Sequence, residues 1–146
     1  MSDIVRLDFS KPDREADLEL VGYLKRWSLT ERAEGEGRFY LHNIQGPDEP
    51  VFHDHPWDFC SIILNGGYNE ATETGVIKRD VGDMVFRSAE DMHYIESVLP
   101  NTWTIIKTDA EKRQWGFDVD GKWVYHKDYK SRRQVNFILR NGYEQN

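Results

Sequence analysis

His53-Asp54-His55-Pro56-Trp57-Asp58-Phe59 sets two imidazoles two positions apart, with a second carboxylate close behind. Side chains alternate along a strand with period two, so an H-x-H pair on a strand turns both rings to one face. Two such rings can converge on one metal ion. A third ligand must then come from a different strand, and His93 is the candidate. Asp58, on the bend before the next strand, is a further candidate, either as a ligand or as a carboxylate that orients an imidazole from behind.

The sequence on either side reads as β-structure. Arg38 to Ile44 forms a strand, and Gln45 to Pro50 a turn built on Gly46, Pro47 and Pro50. Val51 to His55 and Phe59 to Leu64 follow, and Asn65-Gly66-Gly67 is a tight-turn signal. Tyr68 to Thr72 and Val76 to Arg79 flank a turn at Thr74-Gly75. Met84 to Phe86, His93 to Val98 and Thr102 to Lys107 are further strands, and Asp120-Gly121 turns a hairpin between Gln114–Val119 and Lys122–Tyr125. Upstream, Tyr23 to Leu29 alternates imperfectly, Glu31 to Gly37 is a polar loop, and Ile4 to Phe9 reads as an edge strand. A short helix over about 13–20 is expected to start near Pro12. Many short strands at regular spacing argue for a sandwich or barrel and against alternating βαβ units.

The chain of 146 residues and 17.2 kDa is one domain's worth, enough to bury a single core. We divide it into an extension (1–22), a barrel (23–126) and a basic tail (127–146) that packs on the barrel. A formal charge of −7 argues against a mainly electrostatic grip on nucleic acid or an anionic membrane. The sole cysteine, Cys60, excludes an internal disulfide and fits a reducing compartment. The first residues lack the apolar stretch of a secretory signal, and no apolar run approaches the ~20 residues of a membrane span. A cytoplasmic protein is the expectation.

The spacing of these histidines resembles that of the cupins, the small jelly-roll barrels. Their first motif is G-x5-H-x-H-x(3,4)-E-x6-G and their second G-x5-P-x-G-x2-H-x3-N. Here His53-x-His55 is followed by four residues, Cys60, six residues and Gly67, while Gly82 stands eleven positions before His93. Cys60 replaces the usual ligand Glu, and Ser88, Glu90 and Ser97 replace Pro, Gly and Asn. Most of the chain also resembles a bacterial and phage cupin subgroup, through Tyr40-Leu41-His42, the His53–Phe59 run, Ser61 to Leu64, Gly66-Gly67-Tyr68, Glu70 and Arg113 to Phe117 with Gly121-Lys122-Trp123. The resemblance implies an all-β, double-stranded β-helix (jelly-roll) barrel, and commonly a homodimer.

The resemblance also implies a metal held by His53, His55 and His93. Three imidazoles suit Fe(II) first, with Zn, Ni or Mn as further choices, and leave open positions for a small-molecule substrate. Thiol dioxygenases are similar three-histidine cupins, so a dioxygenase-type oxidoreductase is the leading expectation. Tyr40, His42, Tyr68 and Arg87 are candidate pocket residues; Cys60 is a buried small hydrophobe, a ligand or an orienting group. Two other readings stand beside the enzyme: a barrel that binds a small ligand or nucleotide without turnover, and metal-free sugar-nucleotide epimerase-like chemistry on a base such as His55 paired with Asp58.

Overall fold

The computed structural model describes residues 14–29 and 37–129, and every regular element among them is a strand. In chain order these are β1 (Leu18–Leu20), β2 (Leu24–Ser28), β3 (Arg38–Ile44), β4 (Phe59–Asn65), β5 (Gly67–Thr72), β6 (Gly75–Asp80), β7 (Met84–Arg87), β8 (His93–Val98), β9 (Thr102–Thr108), β10 (Gly116–Val119) and β11 (Lys122–Tyr125). One antiparallel sheet runs β1-β2-β3-β9-β4-β7. Facing it, β6-β5-β8 and the β10-β11 hairpin are joined through a single residue, since His53 bridges both His93 and Phe117. The result is a two-sheet jelly-roll barrel.

Period-two burial shows which face each strand turns inward. Along β4, Phe59, Ser61 and Ile63 are buried while Cys60 and Ile62 are only half-buried. Ile63 packs with Ile44 and Tyr68, and with Leu24, Ile95 and Val98, so the apolar core lies between the sheets toward one end. Tyr40 and His42 share the face of Ile44 and therefore point into the barrel. On the outer face Trp27 and Trp103 pack with ring centroids 5.3 Å apart.

Two turns show why the chain folds back where it does. Asp120 and Gly121 both adopt positive φ (53° and 82°), the geometry of a two-residue hairpin turn that matches strand twist. Gly66 (φ 74°) lies so close to the start of β9 that a Cβ there would stand 2.3 Å from Thr102 Oγ1.

The structure changes two expectations. Residues 14–20 carry no helix; Leu18–Leu20 pairs with Leu24–Arg26 as a strand. So short a segment could not sustain a helix without an apolar face to bury, whereas β2 offers a ready ladder. The barrel's edge thus begins inside the 1–22 extension. Val51–His55 is not a full strand either, because only His53 has ladder partners. Ile4–Phe9, the loop over 31–36 and the tail beyond Tyr129 lie outside the described residues.

Candidate metal centre

Backbone pairing aligns His53 and His93. Each amide donates to the other's carbonyl at 3.1 Å, so the two residues form a hydrogen-bonded antiparallel pair whose side chains share a face. Their ring centroids are 5.0 Å apart. His55 reaches the same place by the two-residue step, with its amide fixed on Ala89 O at 3.0 Å. One donor atom from each of the three rings lies within 4.8 Å of the others, and His55 Nε2 approaches His93 Nε2 to 3.3 Å. Phe59 meets the His55 ring edge-on and Trp57 stacks against it.

Burial holds His55 well below its ordinary pKa, reinforced by the neighbouring His53 and His93. Burial also lowers His53, against opposing effects that include Asp48. A neutral imidazole is the form that ligates, so neutral pH needs little proton displacement at these two rings. The donor set fits a borderline divalent transition metal, because three imidazole nitrogens converge with His55 facing the others through Nε2.

Glu70, only 1% exposed, stands behind His93. Its Oε2 lies 2.6 Å from His93 Nδ1, so that nitrogen carries the proton and Nε2 turns its lone pair toward His55. Arg79 Nε and Nη2 donate to Glu70 Oε1, and Arg87 donates to both oxygens. Burial works to raise the Glu70 pKa, but hydrogen bonds from His93, Arg87 and Arg79 outweigh it and keep the carboxyl below the usual range. Asp54, between the two histidines, faces away from them. It accepts from Gly116 N (2.7 Å) and Trp123 Nε1 (3.0 Å) and pairs with Arg113 at 2.6 Å. Arg113 also donates to Ala89 O.

Sequence reasoning passed over Glu70, Asp54, Arg79 and Arg113 as site residues. Alternation within H-D-H was the signal for Asp54. For Glu70 it was a lone carboxylate on the inward face of a strand, in register beside Tyr68.

The other expected residues are placed as follows. Asp58 is a correction to the His55–Asp58 pairing: its carboxylate takes Lys112 Nζ (2.8 Å) and Ala89 N (2.7 Å) instead. The Lys112 contact, then the Ala89 amide, hold its pKa below the usual range. Cys60 stands opposite Phe86 and Lys107 on the outer face of its sheet, away from the imidazoles. Tyr68 fills the core, and its pKa is pushed up to about 12, first by burial. Arg87 serves Glu70, while Tyr40 and His42 line the interior near β2. His126 stacks on Trp115 with centroids 4.5 Å apart.

No family model matches the sequence, and no curated protein does. Solved structures do. The polyketide cyclase RemF from Streptomyces resistomycificus is 13% identical, with 94% of each chain covered and a TM-score of 0.60. KdgF from Halomonas sp. is 13% identical over 68% of this chain and 91% of its own, at 0.57. An RmlC-like cupin from Shewanella frigidimarina is 19% identical over 70% and 90%, at 0.52. Two opposed antiparallel sheets, a lone bridging histidine between hairpins and these neighbours together give the chain the cupin jelly-roll fold.

Proposed function

We propose that this is a metal-dependent cupin enzyme acting on a small molecule, with His53, His55 and His93 holding one divalent transition metal. The observation that carries the reading is the meeting of three imidazoles from two separate chain segments, with a buried carboxylate fixing the tautomer of one. When bound, such a metal polarises a substrate oxygen or sulfur, and as Fe(II) it supports O₂ chemistry. With no carboxylate in the ligand set, its charge is undiminished toward an anionic or thiolate substrate. The chain's own residues do the rest. Glu70 keeps the His93 proton on Nδ1, Arg113 and Asp54 hold the His53–His55 segment in place, and Phe59 and Trp57 limit water around His55. Fe(II) and a dioxygenase-type oxidation are the finer proposal, with Zn, Ni or Mn chemistry next.

Elemental analysis tests the metal, on protein purified without chelator or a polyhistidine tag. About one equivalent in the wild type and little in His53→Ala is expected; less than a few tenths of an equivalent after reconstitution refutes the enzyme as stated. O₂ uptake by the iron-replete protein with thiols and diols tests the oxidation.

A second reading has its own observation. His93 and Glu70 form a histidine–carboxylate pair, the arrangement of a general base that needs no metal. Here the dyad is His93–Glu70, not the His55–Asp58 pair expected from sequence. Turnover that survives complete metal removal and is lost in His93→Gln selects it.

A further inference from the structure

On the inward face of β2 and β3, Arg26 has no counter-charge among the described residues. Arg26 lies directly opposite His42 in the β2–β3 ladder, and both share the face of Leu24 and Ile44. Its Nε donates to His42 Nε2 at 3.0 Å, and its guanidinium carbon lies 4.6 Å from the centre of the Tyr40 ring. One edge and one face of the guanidinium are therefore fixed. Its two terminal amines have no hydrogen-bond partner among the described residues, and no carboxylate there pairs with it.

We propose that Arg26, held between Tyr40 and His42, is an oxyanion subsite that receives a carboxylate or phosphate group of the substrate. The proposal rests on the metal-site reading only in calling that molecule a substrate. Three observations support it. A guanidinium clamped at Nε presents its two remaining amines as a fork, the geometry that binds carboxylate or phosphate bidentately. Burial disfavours the Arg26 charge, which the Tyr40 ring face meets without neutralising it; a half-buried cation with no carboxylate partner among the described residues is costly until an anion arrives. Across β2–β9, the charged residues facing inward are Arg26, Arg38, Arg79 and Arg87 against one carboxylate, Glu70, in a chain of formal charge −7. Glu70 already engages Arg79 and Arg87. Arg26 and Arg38 are then left without a carboxylate among the described residues; Arg38 reaches the Tyr40 hydroxyl at 3.4 Å, whereas Arg26 is clamped at Nε and on one face, and His42, neutral with a pKa lowered to about 3 chiefly by burial, stays an acceptor for it.

Inorganic phosphate and acetate serve as separate probes, read by tryptophan fluorescence titration of the protein as purified, with metal content measured on the same samples. Saturable binding is expected, weakened at least tenfold in Arg26→Gln, partly restored in Arg26→Lys, and retained in His53→Ala. The tighter probe assigns phosphate or carboxylate. In the wild type, phosphate or acetate should slow modification of Arg26 by an arginine-directed dicarbonyl, read by mass spectrometry, while exposed Arg14 reacts unchanged. No binding of either anion, equal binding in Arg26→Gln, loss of binding only in His53→Ala, or no protection of Arg26 overturns the subsite. A chain that binds phosphate through Arg26 yet takes up no metal keeps the subsite and refutes the metal reading.

Discussion

Replacing Glu70 with Gln keeps the shape of the side chain and removes its charge. The carboxylate accepts two hydrogen bonds from Arg79, two from Arg87 and one from His93. Hydrogen bonds to charged groups contribute about 1.5–3 kcal/mol each, but bonds sharing one acceptor do not add. Breaking a buried ion pair by removing one partner costs about 3–5 kcal/mol. The two arginine side chains are 18% and 19% exposed, so water recovers part of their solvation. We expect a loss near the lower end, about 3 kcal/mol, a large share of the 5–15 kcal/mol that holds a typical domain. Urea unfolding followed by tryptophan fluorescence reads it. The amide also offers N–H to the site where His93 needs an acceptor, so metal affinity should fall about 10–100-fold in competition with a chromophoric chelator. Arg87→Gln separates the two effects, because it destabilises while leaving the Glu70–His93 contact in place. Lost stability with unchanged metal affinity would reduce Glu70 to an anchor for two arginines, and no change in either would refute the reasoning.

Asp54→Ala strips three partners from a carboxylate that is 2% exposed; we expect at least about 3 kcal/mol of destabilisation in urea and weaker metal retention, and a midpoint shift under 1 kcal/mol would contradict this. The pKa of His42, about 3 folded against 6.5 unfolded, makes the unfolded chain take up a proton first as pH falls. Its contribution is fully present above pH 6.5 and lost between 6.5 and about 3, at no more than about 1.4 kcal/mol per pH unit. His42→Gln should flatten that slope, and an unchanged slope in urea titrations across the window counts against it. Phe86 and Met84 are 71% and 56% exposed on the outer face, so the homodimer expected from sequence has an apolar surface to use. Light scattering should give twice 17.2 kDa, falling to the monomer in Phe86→Glu, and a wild-type monomer removes the expectation.

The strands were legible because period two survives in them. Phe59-Cys60-Ser61-Ile62-Ile63 alternates by burial even though the sequence looks continuously apolar, since Cys60 and Ile62 lie on the outer face. The histidines were legible because backbone pairing turns their spacing into proximity. What the spacing could not carry was long-range pairing of charges. Glu70 finds Arg79 on the next strand and Arg87 beyond a further turn, and Asp54 finds Arg113 across 59 positions. Such partners are chosen by topology, which local sequence does not encode. The expected helix failed for a related reason: Leu18–Leu20 takes its state from β2, not from its own propensity.

The His53–His55 segment is where these levels meet. One residue of it is laddered, so the sheet alone cannot fix the direction of the second imidazole. The burden falls on Asp54, which alternation turns away from the rings and onto the β10–β11 hairpin through Gly116 N and Trp123 Nε1. Arg113 then ties that carboxylate to Ala89 O, the carbonyl that also receives the His55 amide. The middle residue of H-D-H is thus the outer end of a brace that begins at His55. The hairpin that closes the barrel's second sheet is part of the site's rigidity, although none of its side chains belongs to the three-histidine group.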